Sequence, residues 1–240
     1  MVSENVLVDG IDILCKGDSD IGSLIGGRRE EVLSLLERYI KEIETFNNAY
    51  GLVKVSNRDE LIIKHILDSL APLGTISRLL SADLRRTSSS AAHYPLKIAD
   101  AGSGAGLPGI PLAIALSDYD FTLIERMGRR AGFLYNTTAI LGLTNITIEE
   151  KELEKTESGR FNLVTFRAFS PIEPKLLETL FRSCKQNGII AAYKGRCEKI
   201  EQEMASINQA EYTWNLIPCG VPFLNEERHL LIIRLVRQLG

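Results

Sequence analysis

Cysteine is sparse in this chain and never clustered: the four residues, at 15, 184, 197 and 219, form no Cys-x-x-Cys pair. That spacing argues against a zinc site or a thiol-redox motif, and free thiols in a reducing cytoplasm are the expectation. No apolar run is long enough to span a bilayer. The opening Met1-Val-Ser-Glu-Asn5 lacks the basic start and apolar core of a signal peptide. Internal repeats are missing too. A positive charge balance is also absent: the formal net charge of −3 argues against a protein that coats nucleic acid non-specifically. It leaves room for a local basic patch on an acidic surface. What remains, 45% hydrophobic and 25% charged residues over 240 positions, fits a soluble globular chain with one large domain or a domain and an appendage.

The first third reads as helical. Val32, Leu36, Tyr39, Ile43, Phe46 and Tyr50 recur at three-to-four spacing, which predicts an amphipathic helix over 28–50. Leu61, Ile62, His65, Ile66 and Leu70 predict a second over 58–72, and a third follows at 73–83. Residues 1–83 are therefore expected to be a helical extension, too small for a domain of its own. Small and polar residues at 84–95 read as an exposed connector. From 96 to 240 the pattern alternates. Strands are expected at 96–101, 121–125, 145–149, 161–166, 187–193, 212–217 and 229–236, with helices at 108–116, 128–141 and 172–185 and a turn at 151–156. That alternation calls for a parallel sheet covered on both faces, with the last two strands close enough to pair antiparallel.

The most informative segment is Asp100-Ala-Gly-Ser-Gly-Ala-Gly-Leu-Pro-Gly109, where a strand breaks into glycines at 102, 104, 106 and 109 ahead of a helix. Glycine admits positive φ and close approach of a ligand to the backbone. The run from Gly104 to Gly109 satisfies the dinucleotide fingerprint, with Glu125 near the distance of a ribose-binding acid. Asp100 before the first glycine, and a sheet ending in an antiparallel pair, point away from hydride transfer. Asp-x-Gly-x-Gly-x-Gly is instead the pattern of S-adenosylmethionine (AdoMet) methyltransferases. Asp100 would suit the ligand's ammonium group, directly or through water, and Glu125 its ribose hydroxyls.

The chain resembles the bacterial small-subunit (16S) ribosomal RNA guanine-N7 methyltransferases, the glucose-inhibited division protein B family. The resemblance is carried by His65-Ile-Leu-Asp-Ser-Leu70, Asp100 to Pro111, Gly128-Arg-Arg-Ala-Gly-Phe-Leu134 and Leu141-Gly-Leu-Thr-Asn145. Thr165-Phe-Arg-Ala-Phe169, Tyr193-Lys-Gly195 and Arg228-His229 extend it, in the family order, over nearly everything from residue 38. It implies a class I AdoMet-dependent methyltransferase fold, Rossmann-like, with a seven-stranded mostly parallel sheet, an antiparallel final strand and the helical extension. It further implies that Gly102, Gly104 and Leu107 line the cofactor pocket and that Glu125 faces the ribose. Leu153 and Glu154 would lie beside the adenine, and Arg167 would face the methionine end and the target base. Three places depart from the family: Glu152-Leu-Glu154 stands where an Arg-Ala-Glu run is usual, Gly51-Leu-Val53 replaces Asn-Leu-Thr, and the serine-rich stretch at 85–95 looks inserted.

The chemistry agrees by omission. Guanine N7 has a lone pair and no proton, so its methylation needs placement rather than a general base. The Asn-Pro-Pro-Tyr or Asp-Pro-Pro-Tyr of amine methylation is absent after the fourth strand, where Phe166-Arg-Ala-Phe-Ser-Pro171 stands. Pro218-Cys219 mimics a pyrimidine-C5 nucleophile motif. It follows the sixth strand rather than the fourth, and Cys219 reads as structural. Arg167 either acts at the ligand edge or makes a surface ion pair, and its place at a strand's C-terminal end favours function. Lys194, Arg196 and Arg228, with Arg129 and Arg130, are candidates to meet RNA phosphates. Phe169 could stack on the target base or sit in the core. His65 and Asp68, three apart on one helix face, are expected to bond the extension to the main domain. His93 is expected to be solvated. The expected partner is small-subunit rRNA or its assembling subunit, with no membrane, a monomeric state and a cytoplasmic location. The alternatives are a methyltransferase of the same fold acting on a small molecule or protein, and a non-catalytic AdoMet- or nucleotide-binding module.

Overall fold

A computed structural model describes residues 5–87, 95–167 and 171–236. His93 and Phe169 lie outside the described residues. The chain opens with two helices that the sequence reading did not separate, α1 (Val6–Gly17) and α2 (Ser19–Gly26). Asn5 and Asp18 cap them by accepting from the backbone of Val8 and Asp20. Leu7, Ile11 and Leu14 supply the buried stripe of α1. The long helix α3 (Arg29–Tyr50) ends at Gly51 with φ 60°, the left-handed cap that glycine favours.

The predicted second helix is present but not uniform. It begins as α4 (Arg58–Leu61), widens to a π-helix over Ile62–Leu67 and closes as α5 (Asp68–Leu70). Asn57 accepts from Glu60 N while Glu60 Oε2 accepts from Ser56 N, a reciprocal arrangement like a capping box. The third helix, α6 (Leu73–Thr87), runs past its expected end at 83, so the first residues of the expected connector are helical.

Seven strands follow: β1 (Lys97–Ala101), β2 (Asp120–Ile124), β3 (Ile146–Glu149), β4 (Phe161–Arg167), β5 (Cys184–Lys194), β6 (Tyr212–Pro218) and β7 (His229–Leu235). Between them lie α7 (Gly109–Ala115), α8 (Gly128–Leu141), α9 (Pro174–Ser183) and α10 (Cys197–Ala205). The last of these was not predicted, although Ile200 and Met204 at i,i+4 form its buried stripe. The predicted turn at 151–156 contains a single 3-10 turn, Leu153–Lys155.

The sheet order is β3-β2-β1-β4-β5-β7-β6, with β7 antiparallel to both neighbours and the other pairings parallel. The order reverses between β1 and β4, and the crevice above such a switch point is where open α/β sheets bind ligands. Side chains alternate across the sheet. Ile189, Ala191, Leu230 and Ile232 join one core, and Ile190, Ala192, Leu231 and Ile233 the other. The first core also contains Ile11, Leu36, Ile43 and Leu67, so the helical extension shares its interior with the sheet. Buried hydrogen bonds reinforce that union: Tyr39 Oη donates to Ala105 O at 2.7 Å and Tyr193 Oη to Ser69 O at 2.8 Å.

Candidate active site

The glycine loop is shaped by its own backbone. Gly102, Gly104 and Gly106 take φ of 67°, 61° and 92°, and the amides of Gly102 and Ser103 both donate to Ile124 O. A side chain at Gly109 would collide with Leu123 and Asp100, so only glycine lets α7 start so close to β1. Asp100 sits behind this loop, fully buried. Its Oδ2 accepts from Ser103 Oγ at 2.6 Å and from Gly109 N at 3.0 Å. Burial pushes the carboxyl up to about 6, and the Ser103 and Gly109 bonds pull against it. Asp100 is not among the residues that line the cavity in front of the loop. The structure shows a job for it that the sequence reading did not foresee, holding the turn in shape.

That cavity has a volume of about 810 Å³. Gly102, Gly104, Leu107, Glu125, Leu153, Glu154 and Arg167 all line it, from the ends of β1, β2, β3 and β4. Glu125, 4% exposed just beyond β2, accepts from Gly104 N at 2.9 Å and from Met127 N at 2.8 Å. Each carboxylate oxygen has further lone-pair capacity beyond the one backbone bond it accepts. Glu152, the departure from the family pattern, also lines this cavity and pairs with Lys155 at 3.1 Å. Arg130, expected among the RNA contacts, instead lines this cavity, and its buried Nε has no partner among the described residues. Arg129, one residue earlier, is exposed and outside it.

Arg167 ends β4 and does not stand free. Its Nη1 pairs with Asp68 Oδ2 at 3.0 Å and donates to Lys64 O at 3.1 Å, and its Nη2 meets His65 Nδ1 at 2.8 Å. The π-helical stretch presents all but the carboxylate, in keeping with the frequency of such distortions at functional sites. Asp68 also accepts Arg228 Nε at 3.1 Å, so one carboxylate bridges two arginines. Burial raises the Asp68 carboxyl, and Arg167 and Arg228 act against it. Burial and the Arg167 charge hold His65 down to about 3, a neutral ring at any physiological pH. His65 and Asp68 thus do bond the extension to the main domain, and they do so through the one cation expected to act at the site.

The rest of the expected basic rim divides. Lys194 pairs with Glu203 at 2.6 Å and Arg228 with Glu226 at 3.0 Å, whereas Arg196 is exposed with no ion pair among the described residues. Lys194 and Arg228 line a second cavity, of about 430 Å³, over β5 and β7. Cys219 lines it as well, with Sγ donating to Ile217 O. Burial pushes that thiol up to about 11, which leaves it protonated and unsuited to nucleophilic attack. Sequence reasoning missed the roles of Tyr39 and Tyr193. Tyr39 was visible as a member of an apolar stripe, but its hydroxyl partner lies 66 residues away.

With this geometry in hand, the comparisons with known proteins are unambiguous. The family model GidB, "rRNA small subunit methyltransferase G", matches residues 32–231. A protein of that name from Treponema denticola is 40% identical over 97% of both chains. One from Treponema pallidum is 38% identical, covering 83% of this chain and 84% of its own, and one from Cellvibrio japonicus is 33% identical over 92% and 93%. Among solved structures, a putative caffeoyl-CoA O-methyltransferase from Staphylococcus aureus aligns over 82% of this chain and 92% of its own with a TM-score of 0.51. At 15% identity that likeness speaks for the fold alone. The chain belongs to the GidB family, the small-subunit rRNA methyltransferase G proteins.

Proposed function

We propose that this protein transfers a methyl group from AdoMet to N7 of a guanine in small-subunit ribosomal RNA. The observation that carries the reading is the pair of cavities meeting at the tip of β4, with Arg167 and His65 lining both. The larger one suits AdoMet. A Cβ built on Gly104 meets nothing nearer than Gly102 O at 3.9 Å, so the loop backbone is open on that side. Glu125 offers acceptors to a ribose diol, and Leu107 and Leu153 offer apolar surface to an adenine. The unpartnered Nε of Arg130 suits an anionic group such as a carboxylate.

When bound, AdoMet supplies an electrophilic methyl group on a sulfonium centre. The chain's own contribution is orientation, because guanine N7 attacks with a lone pair and no proton has to leave. Neither Cys219, held as a thiol, nor His65, held neutral by its surroundings, is asked to take a proton. Arg167, braced by Asp68 and the Lys64 carbonyl, fixes the boundary between the two cavities. Arg129 and Arg196 are exposed, which supports a role for them in sequence-independent contacts with phosphates. The same reading carries the expectations of a monomer acting in the cytoplasm on rRNA or on an assembling subunit. Among the described residues no helix is long and apolar enough to cross a membrane.

Mapping N7-methylguanine in rRNA from cells with and without the gene tests the reading. One modification should vanish on deletion, return with the wild-type chain, and fail to return with an Arg167→Ala chain that remains folded. An unchanged pattern on deletion would remove the rRNA assignment.

A further inference from the structure

The tip of β4 divides the ligand edge of the sheet. The cavity of about 430 Å³ on the β5 and β7 side falls within the roughly 300–1,000 Å³ usual for small-ligand sites. Most of the charged groups in its wall already have partners: Lys64 on Glu60, Lys194 on Glu203, and Arg167 and Arg228 on Asp68. One residue of the wall, His65, which also lines the larger cavity, carries a buried side-chain atom with no partner among the described residues, Nε2.

The neighbour of His65 fixes what that atom is. A guanidinium carries donors only, so Nδ1 must accept from Arg167 Nη2 at 2.8 Å, and in a neutral imidazole the hydrogen then sits on Nε2. Turning the ring over would break this bond while Asp68 and the Lys64 carbonyl still hold the guanidinium in place. Nε2 is therefore an uncharged donor that cannot become an acceptor.

Guanine and adenine both expose N7, and along that edge they differ at position 6, an oxygen acceptor in one and an amino donor in the other. An enzyme that alkylates N7 cannot recognise its substrate through N7, because a hydrogen bond there occupies the attacking lone pair. Discrimination along this edge falls on position 6. We propose that His65 Nε2–H donates to O6 of the target guanine seated in the 430 Å³ cavity, so that His65 selects guanine over adenine. The proposal rests on the N7 methyl-transfer reading given above. Adenine would face the imidazole donor to donor and leave a buried N–H unpaired, an arrangement that costs binding. The neutral ring also suits a purine that gains positive charge as N7 is alkylated.

The test uses the full chain and small subunits from cells lacking the gene, carrying either the mapped target guanine or adenine at that position. Transfer is followed with radiolabelled AdoMet for wild type, His65→Ala and His65→Gln. His65→Ala should lose roughly 5–150-fold in kcat/KM on guanine subunits, the range for an unpaired buried donor-acceptor contact. His65→Gln can turn either its amino group or its carbonyl toward the base, so it should recover part of the guanine rate and methylate adenine faster than wild type does. Any loss of AdoMet affinity should be smaller than the loss of transfer in both, and the melting temperature should fall more for His65→Ala, which gives up the contact with Arg167, than for His65→Gln. The proposal is overturned if His65→Ala methylates guanine within twofold of wild type, or if His65→Gln methylates adenine no faster than wild type. A loss of AdoMet affinity that matches the loss of transfer would also overturn it, by placing His65 on the cofactor side. Wild type leaving N7 of guanine unmethylated in gene-deleted subunits would instead refute the underlying reading.

Discussion

The two cavities that meet at Arg167 are built in opposite ways. The larger is centred on one contiguous motif: the glycine loop lines it from Gly102 to Leu107, Asp100 braces the loop from behind and Glu125 at the next strand tip ties it down. Leu52, Lys54 and His65 of the extension close its far wall. The smaller is assembled from distant pieces, with His65 and Asp68 from the extension, Arg167 from β4, Lys194 from β5 and Arg228 ahead of β7. A cofactor shared across a fold can be held by a contiguous motif. A substrate peculiar to one family needs surfaces that only the whole chain brings together.

If that contrast is right, the distant half should be the more fragile to a single deletion. Asp68→Ala removes the carboxylate shared by two arginines whose side chains are only 15% and 22% exposed. Breaking such a bridge typically costs about 3–5 kcal/mol, enough to lower the melting midpoint of a chain this size by roughly 10 °C. A loss below about 1 kcal/mol would mean the bridge is solvated and contributes as a surface pair does.

The halves should also titrate with opposite sign. Asp100 rises from 3.8 to about 6, so its contribution to stability is complete below pH 3.8 and is lost as the pH rises through 6. His65 falls from 6.5 to about 3, so its contribution is complete above pH 6.5 and is lost as the pH falls toward 3. Between pH 4 and 6 the two nearly cancel. Asp100→Asn should therefore steepen acid destabilisation in that window by up to about 1.4 kcal/mol per pH unit, and His65→Gln should make it shallower. Denaturant midpoints measured across the window decide this, and parallel curves for all three proteins would dismiss it. The smallest effect is expected where the halves touch through the extension. Tyr39→Phe removes the bond to Ala105 O and should cost about 1 kcal/mol, with a slight weakening of AdoMet binding, readable by calorimetry.

The same contrast explains what could be read from sequence. The strands, the glycine loop and Glu125 follow from periodicity and local spacing, and the structure places them within a few residues of expectation. The helices Val6–Gly17 and Ser19–Gly26 fall within the expected helical extension without being separated there, whereas Cys197–Ala205, a short run with only Ile200 and Met204 buried, was not expected. Asp100 illustrates a different limit: an acid beside a glycine loop has the same pattern whether it faces the ligand or the loop, and only burial separates the two. Arg130 and Arg129 are adjacent in sequence, yet the helix turn sends one to the larger cavity and leaves the other in solvent. The Asp68–Arg167–His65 arrangement spans 102 residues, beyond the reach of any local signal.

The division of labour itself is tested most directly by calorimetric titration of AdoMet into Glu125→Ala and Arg228→Ala, each paired with a methyl-transfer assay on gene-deleted small subunits. Glu125→Ala should weaken AdoMet binding by about 10–150-fold, as expected for lost charge-assisted hydrogen bonds. Arg228→Ala should bind AdoMet within twofold of wild type while losing transfer to the subunit. Equal weakening of AdoMet binding in both variants would contradict the account, because the two cavities would then serve one ligand.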